Sequence, residues 1–134
     1  MKRIDTLTVL MLAYGAASLL HFTHNAQFAQ DYPNFPATIT ALQVYGAWLV
    51  VGATGLAGYL LMRFRQRVLG LIVTAVYAGL GFDGLLHYTL APLSAHSFAM
   101  NFTILTEVAL AVLLECAVLL HLVRAVGPAR IRRP

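Results

Sequence analysis

Polarity along the chain alternates between four long apolar runs and short polar interruptions, with basic residues at both ends. The apolar runs cover about residues 7–24, 37–62, 68–90 and 97–123. A helix needs about 20 predominantly apolar residues to cross a bilayer, so each run predicts one transmembrane helix. The interruption after the first run, from His24-Asn25-Ala26-Gln27 to Asp31-Tyr32-Pro33-Asn34-Phe35-Pro36, holds two prolines and reads as a loop at the membrane interface. The second run ends in Arg63-Phe64-Arg65-Gln66-Arg67, and Ala91-Pro92-Leu93-Ser94 turns the chain between the third and fourth. The predicted fold is an all-α integral membrane protein, a four-transmembrane-helix bundle forming one domain over residues 1–134.

Composition strengthens this reading. Of 134 residues, 60% are hydrophobic and only 10% charged, against about 25% charged in soluble domains. Lys2 and Arg3, the following apolar run and the small residues Gly15-Ala16-Ala17-Ser18 also fit a signal-peptide pattern; the expectation here is that the segment is retained as the first span. The single cysteine, Cys116, excludes an intramolecular disulfide and a Cys-rich metal site.

The net charge of +4 would suggest nucleic acid in a soluble protein, but the positions of the basic residues explain it otherwise. Lys2 and Arg3 precede the first span, Arg63, Arg65 and Arg67 join the second to the third, and Arg124, Arg130, Arg132 and Arg133 follow the fourth. Those nine are all the Lys and Arg in the chain. Positive charge in short loops stays in the cytoplasm. The expected orientation is therefore N-in, C-in within the cytoplasmic membrane, with the lipid bilayer as the main partner and no nucleic acid. Glycines at 52, 55 and 58, and at 79, 81 and 84, are read as close-packing positions between helices.

One internal likeness bears on function. Ser18-Leu19-Leu20-His21-Phe22-Thr23 matches Gly84-Leu85-Leu86-His87-Tyr88-Thr89, and Gln43-Val44 and Glu107-Val108 occupy comparable places in the second and fourth spans. A true duplication would be two parallel helical-hairpin repeats, an arrangement found in transporters, with His21 and His87 at equal depth. The alternative is chance among leucine-rich segments.

The polar residues gather on the expected outer side. At 1.5 Å per helical residue, Asp83 lies about 24 Å and His87 about 30 Å from Arg67. His21 and His24 end the first span on that side, His96 opens the fourth, and Glu107 lies further along it. His21 and His24 are three apart, and Asp83 and His87 four apart, so each pair is expected on a shared helix face. His96, Met100, Thr103 and Glu107 likewise predict one stripe. Ionisable groups inside a membrane normally face the bundle interior with a partner, yet Asp83 and Glu107 have no Lys or Arg at their depth.

These residues predict a periplasmic-facing histidine cluster, with His21, His24, Asp83, His87 and His96 as ligands of a divalent transition metal, and Zn, Fe, Mn or Cu suits such a set. Glu107 is the expected catalytic acid or base. The plainer readings are that His24 and His96 are wet interfacial residues, that Asp83 stays protonated on His87, and that Glu107 is a neutral acid bonded to backbone or to Gln43. Glu115 and His121 lie towards the other end and read as structural. Tyr32 and Tyr88 suit an interfacial aromatic belt, while Tyr14, Tyr45, Trp48 and Tyr77 read as packing.

Three functions follow. The first is a metal-dependent enzyme acting on a lipid or small amphiphile in the outer leaflet. The second is a b-type haem protein with His21 and His87 as axial ligands. The third is a non-catalytic metal-binding protein, as a homo-oligomer or an accessory subunit of a larger membrane complex. The chain contains no Gly-x-Ser-x-Gly, Cys-x-x-Cys or His-Glu-x-x-His motif.

Overall fold

The long helices open on side chains that satisfy otherwise unpaired backbone N–H groups. The Asp5 carboxylate accepts from the Thr8 N–H at 2.7 Å and starts α1 (Thr6–Gln27). Thr40 and Gln43 exchange side-chain and backbone hydrogen bonds in a capping box that starts α2 (Ala41–Arg63). Ser97 and Met100 do the same for the last and longest helix, which spans Phe98–Val126. The structure is a computed structural model that describes residues 5–127. Lys2, Arg3, Arg130, Arg132 and Arg133, on which part of the orientation argument rests, lie outside those residues.

The helix boundaries follow the apolar runs with one shift. The second helix begins at Ala41 and not near residue 37, because Pro36 and the Thr40 cap hold the intervening chain out of helical geometry. It ends where Arg65 takes a left-handed conformation, φ 67°, and the Gln66 N–H donates back to the Leu61 carbonyl at 2.9 Å. Such an end is usually made by glycine.

The third span differs more from expectation. It is not one α-helix over 68–90. It runs as α3 (Arg67–Gly79), a 3₁₀ segment (Leu80–Leu86) and a last turn, α4 (His87–Leu90). A 3₁₀ helix has three residues per turn. The buried positions follow that period: Ala78, Gly81, Gly84 and His87. Phe98–Val126 is α5.

Four helical stretches, Thr6–Gln27, Ala41–Arg63, Arg67–Leu90 and Phe98–Val126, are long and apolar enough to cross a membrane. They form one bundle. Both α1 and α3 pack against α2 and α5, which places α1 and α3 on a diagonal. Tyr14 and Tyr77 meet across that diagonal, edge to face at 4.7 Å, above a floor of Leu71, Leu114 and Val118. Leucines and valines such as Leu42, Leu49, Val50 and Val123 face outward, as a lipid-facing surface requires.

Close contact between α2 and α3 depends on glycine. A Cβ on Gly70 would meet the Met62 backbone N at 2.7 Å and the Gly58 carbonyl at 2.9 Å, so the two backbones touch there. Of the glycines expected at helix contacts, Gly55, Gly58, Gly81 and Gly84 are against neighbours, whereas Gly52 and Gly79 face open space. Arg63, Arg65 and Arg67 lie at one end of the bundle with Arg124 near it, and His21, His24, His87 and His96 lie at the other.

Candidate functional site

At the histidine end, α1 carries a buried polar row, Tyr14, Ser18, His21 and Asn25, spaced by three or four residues so that all point into the bundle. His21 is 1% exposed, and its Nδ1 pairs with Oε2 of the fully buried Glu107 from α5. The backbone of the 3₁₀ segment closes over this pair at Gly84, where a Cβ would come within 3.2 Å of His21 Cε1. A larger residue would push against the ring, so glycine lets the third span approach.

Asn25 extends the pair into a chain. Its side-chain N–H₂ donates to His21 Nε2 at 3.1 Å and to His87 Nε2 at 3.2 Å. Both Nε2 atoms therefore accept, and the proton on His21 sits at Nδ1, facing Glu107. The sequence Glu107–His21–Asn25–His87 links three elements of the bundle through side chains alone. The rings of His21 and His87 stand 5.4 Å apart, so the expected meeting of these two histidines occurs.

The loop between α1 and α2 covers His87. Phe35 stacks on its ring, 5.9 Å away and tilted by 15°, and Tyr32 lies 4.8 Å from it. Asn34, in a left-handed conformation, pins the loop by donating to the Leu90 carbonyl at 2.8 Å. Tyr32 is 3% exposed and packs on Met100 and Ile104, so it is not the interfacial residue expected. Burial pushes its hydroxyl up to about 12, and as the neutral phenol it donates to His24 Nδ1 at 2.8 Å.

The remaining expected ligands are placed differently. His24 does not share the buried face of His21; it is half-buried, with its Nδ1 committed to Tyr32. Asp83 leaves the helix in a different direction from His87, although both line the cavity described below. In a 3₁₀ helix four residues turn the chain by about 480°, which leaves the two side chains about 120° apart. His87 is buried and Asp83 exposed. The expected stripe on α5 forms with Met100, Thr103 and Glu107 buried, while His96 precedes the helix. His96 is nevertheless buried, its Nδ1 donating to the Pro92 carbonyl at 3.1 Å and its Nε2 without a partner. Its ring is 6.2 Å from that of His87. Among the described residues, no three His, Cys, Asp or Glu side chains gather closely enough to hold a metal ion as they stand.

A cavity of about 610 Å³ opens beside this chain of side chains, between α1, the loop, α2 and the end of the third span. His21, Asn25, Gln43, Asp83 and His87 supply its polar wall, and Phe22, Ile39, Val44 and Leu86 much of its apolar one. On and behind its wall, Asn25 Oδ1 and Glu107 Oε1 are buried without protein partners. Buried polar atoms are nearly always satisfied, so these two mark unused hydrogen-bonding capacity.

Asn25, Tyr32 and Phe35 belong to this site although the sequence pattern does not single them out as candidates. Asn25 carries a legible signal, since it stands four residues after His21 on a helix. Tyr32 and Phe35 lie in a loop without periodicity, and only the fold brings them over His87. No protein-family model matches the chain, and neither a curated protein nor a solved structure does.

Proposed function

We propose that this is an integral protein of the cytoplasmic membrane, with both termini in the cytoplasm, whose site at the periplasmic end receives and acts on the polar head of an amphiphile. The orientation rests on the sequence positions of all nine Lys and Arg, which flank the ends of the apolar runs opposite His21, His24, His87 and His96. The observation that carries the functional reading is the chain Glu107–His21–Asn25–His87 along the wall of a cavity whose remaining lining is largely apolar. Glu107 fixes the tautomer of His21, which leaves Nε2 as the basic atom. A ligand hydroxyl or amine that displaces the Asn25 N–H would hydrogen-bond there, with His21 as general base.

A second reading is favoured by the same geometry. Metal-binding imidazoles commonly donate their second nitrogen to a carboxylate or a backbone carbonyl. His21 does so to Glu107, and His96 to Pro92. Rotation of the Asn25 amide would turn its oxygen towards His21 and His87, giving a nitrogen–oxygen donor set suited to a divalent transition metal. Haem is not favoured, because His21 and His87 approach edge to face at 5.4 Å and the Asn25 amide bridges them, where a porphyrin would need a slot.

Tag-free protein, purified gently, tests both readings by elemental analysis and by mass spectrometry of extracted lipids. Amphiphile retained by the wild type and lost in Asn25→Leu and His87→Phe supports the first reading. Stoichiometric metal lost in His21→Ala and His87→Ala, and unchanged in Cys116→Ala, supports the second. Identical lipid and metal content in all variants overturns both.

A further inference from the structure

A second cavity, of about 580 Å³, lies deeper in the same seam between α1 and α2. Its walls continue those of the first, turn by turn. Along α1, Phe22 and Asn25 of the upper cavity give way to Leu19, Ala16 and Leu12 of the lower one. Along α2, Val44 and Ala47 give way to Trp48, Val51 and Gly52. The residue types change on the way down: imidazoles, a carboxylate and amides stand on the wall of the upper cavity and none of these on that of the lower, while hydrocarbon makes up most of both walls.

Tyr77 explains why the seam is open. It reaches across from α3 and donates to the Met11 carbonyl of α1 at 3.2 Å. A Cβ on Gly15 would meet its hydroxyl at 2.7 Å, and one on Gly55 would meet its ring at 2.8 Å. The ring thus fills the space at both glycines and props α1 and α2 apart. Gly52, one turn from Gly55, borders the groove, and a Cβ added there would have nothing within 4 Å.

We infer that the ligand is a long-chain amphiphile with an uncharged or cationic head, its head against His21 and His87 and its hydrocarbon chain lying inward along the α1–α2 seam. This rests on the amphiphile reading above and adds the ligand's class. The length argues for a long chain. From His21 to Thr8 the groove follows thirteen helical residues, about 20 Å, more than the roughly 15 Å of hydrocarbon in one leaflet. The charge argues for the head. Asp83 and Glu107 are the formal charges of the site, and the basic residues all lie at positions 2, 3, 63, 65, 67, 124, 130, 132 and 133. A phosphate would meet the Asp83 carboxylate, with that of Glu107 behind His21, and no Lys or Arg to offset them, whereas a hydroxyl or ammonium finds acceptors at His21 and Asp83.

Photoactivatable analogues of hexadecanol, hexadecylamine and hexadecyl phosphate test this with the full chain in nanodiscs. Each is made with the diazirine near the head or at the chain end, and labelled peptides are mapped by mass spectrometry. Head-proximal alcohol and amine probes should label residues 21–25 or 83–90, and chain-end probes residues 8–19 or 48–59. Gly52→Phe should lower chain-end labelling about tenfold by filling the groove, while Gly79→Phe, on the exposed face of α3, should leave it unchanged; thermal melting of both variants checks that they fold. Equal labelling by the phosphate probe overturns the head assignment. Chain-end labelling that Gly52→Phe leaves intact overturns the groove. Failure of head-proximal probes to label either segment overturns the amphiphile reading itself.

Discussion

The pairing of His21 with Glu107 can be measured as a coupling energy. Both side chains are fully shielded, at 1% and 0% exposure, and Glu107 has no Lys or Arg within the described histidine end to replace the imidazole. Glu107→Ala removes the acceptor and leaves the His21 N–H buried alone; His21→Ala leaves a buried carboxylate. Leaving one partner of a buried hydrogen bond unsatisfied costs about 1–3 kcal/mol, and more where the group left behind is charged. The double variant removes both members, so its loss should fall short of the sum by about 2–3 kcal/mol, in the upper range of couplings for residues in contact. A neutral interhelical hydrogen bond in a membrane averages only about 0.6 kcal/mol, so the size of the coupling reports whether charge is involved. Glu107→Gln, which keeps the shape and an acceptor, should lose less than Glu107→Ala. The assay is reversible unfolding in mixed micelles by titration with a denaturing detergent. A coupling below about 0.5 kcal/mol would sink the reasoning, because independent sites add within that margin.

Three other outcomes are expected. Single cysteines placed at positions 30 and 94, both exposed, should react with a membrane-impermeant reagent from the periplasmic side, and one at position 65 only from the cytoplasm; external reaction at 65 reverses the orientation. Phe35→Ala should remove the ring stacked on His87, cost about 1 kcal/mol of stability, and speed modification of His87 by diethyl pyrocarbonate; an unchanged rate means the loop does not shield it. The Tyr32 hydroxyl is raised from an ordinary 10 to about 12 by burial. Its contribution is therefore fully present below pH 10 and lost as pH rises through 12, and Tyr32→Phe should abolish that part of the alkaline loss in a pH series of melting temperatures.

The spans were legible because bilayer thickness imposes a length of apolar sequence that nothing else in the chain imitates. Their ends were less so. Thr40 and Gln43 form a capping box visible in the sequence, yet Ala37, Ile39 and their neighbours are apolar enough to blur into the second run. The break in the third span was hidden for another reason. Hydropathy does not distinguish α from 3₁₀ geometry, and Gly79, Gly81 and Gly84 served equally well as packing positions. The sign that was present is the spacing of Ala78, Gly81, Gly84 and His87, three apart throughout, where an α-helix would alternate three and four.

That spacing determines which residues make the site. With three residues per turn, Gly81, Gly84 and His87 stack along one edge. Gly81 lies against Tyr14, Gly84 against His21 and Glu107, and His87 reaches the Asn25 amide. Continuing α3 as an α-helix through Leu86 would turn His87 by about 140° relative to Gly79, since each of seven residues would rotate 100° in place of 120°. His87 would leave the bundle axis, and Asn25 would lose one of its two acceptors. The same rotation would alter the placement of Asp83, which the 3₁₀ geometry sets about 120° from His87 on the wall of the same cavity. Glycine at 81 and 84 permits the close approach; the period of three directs the imidazole. The carboxylate–imidazole chain thus depends on a local departure from α-helical geometry, which is why residue types alone located the histidines but not the directions in which Asp83 and His87 leave their helix.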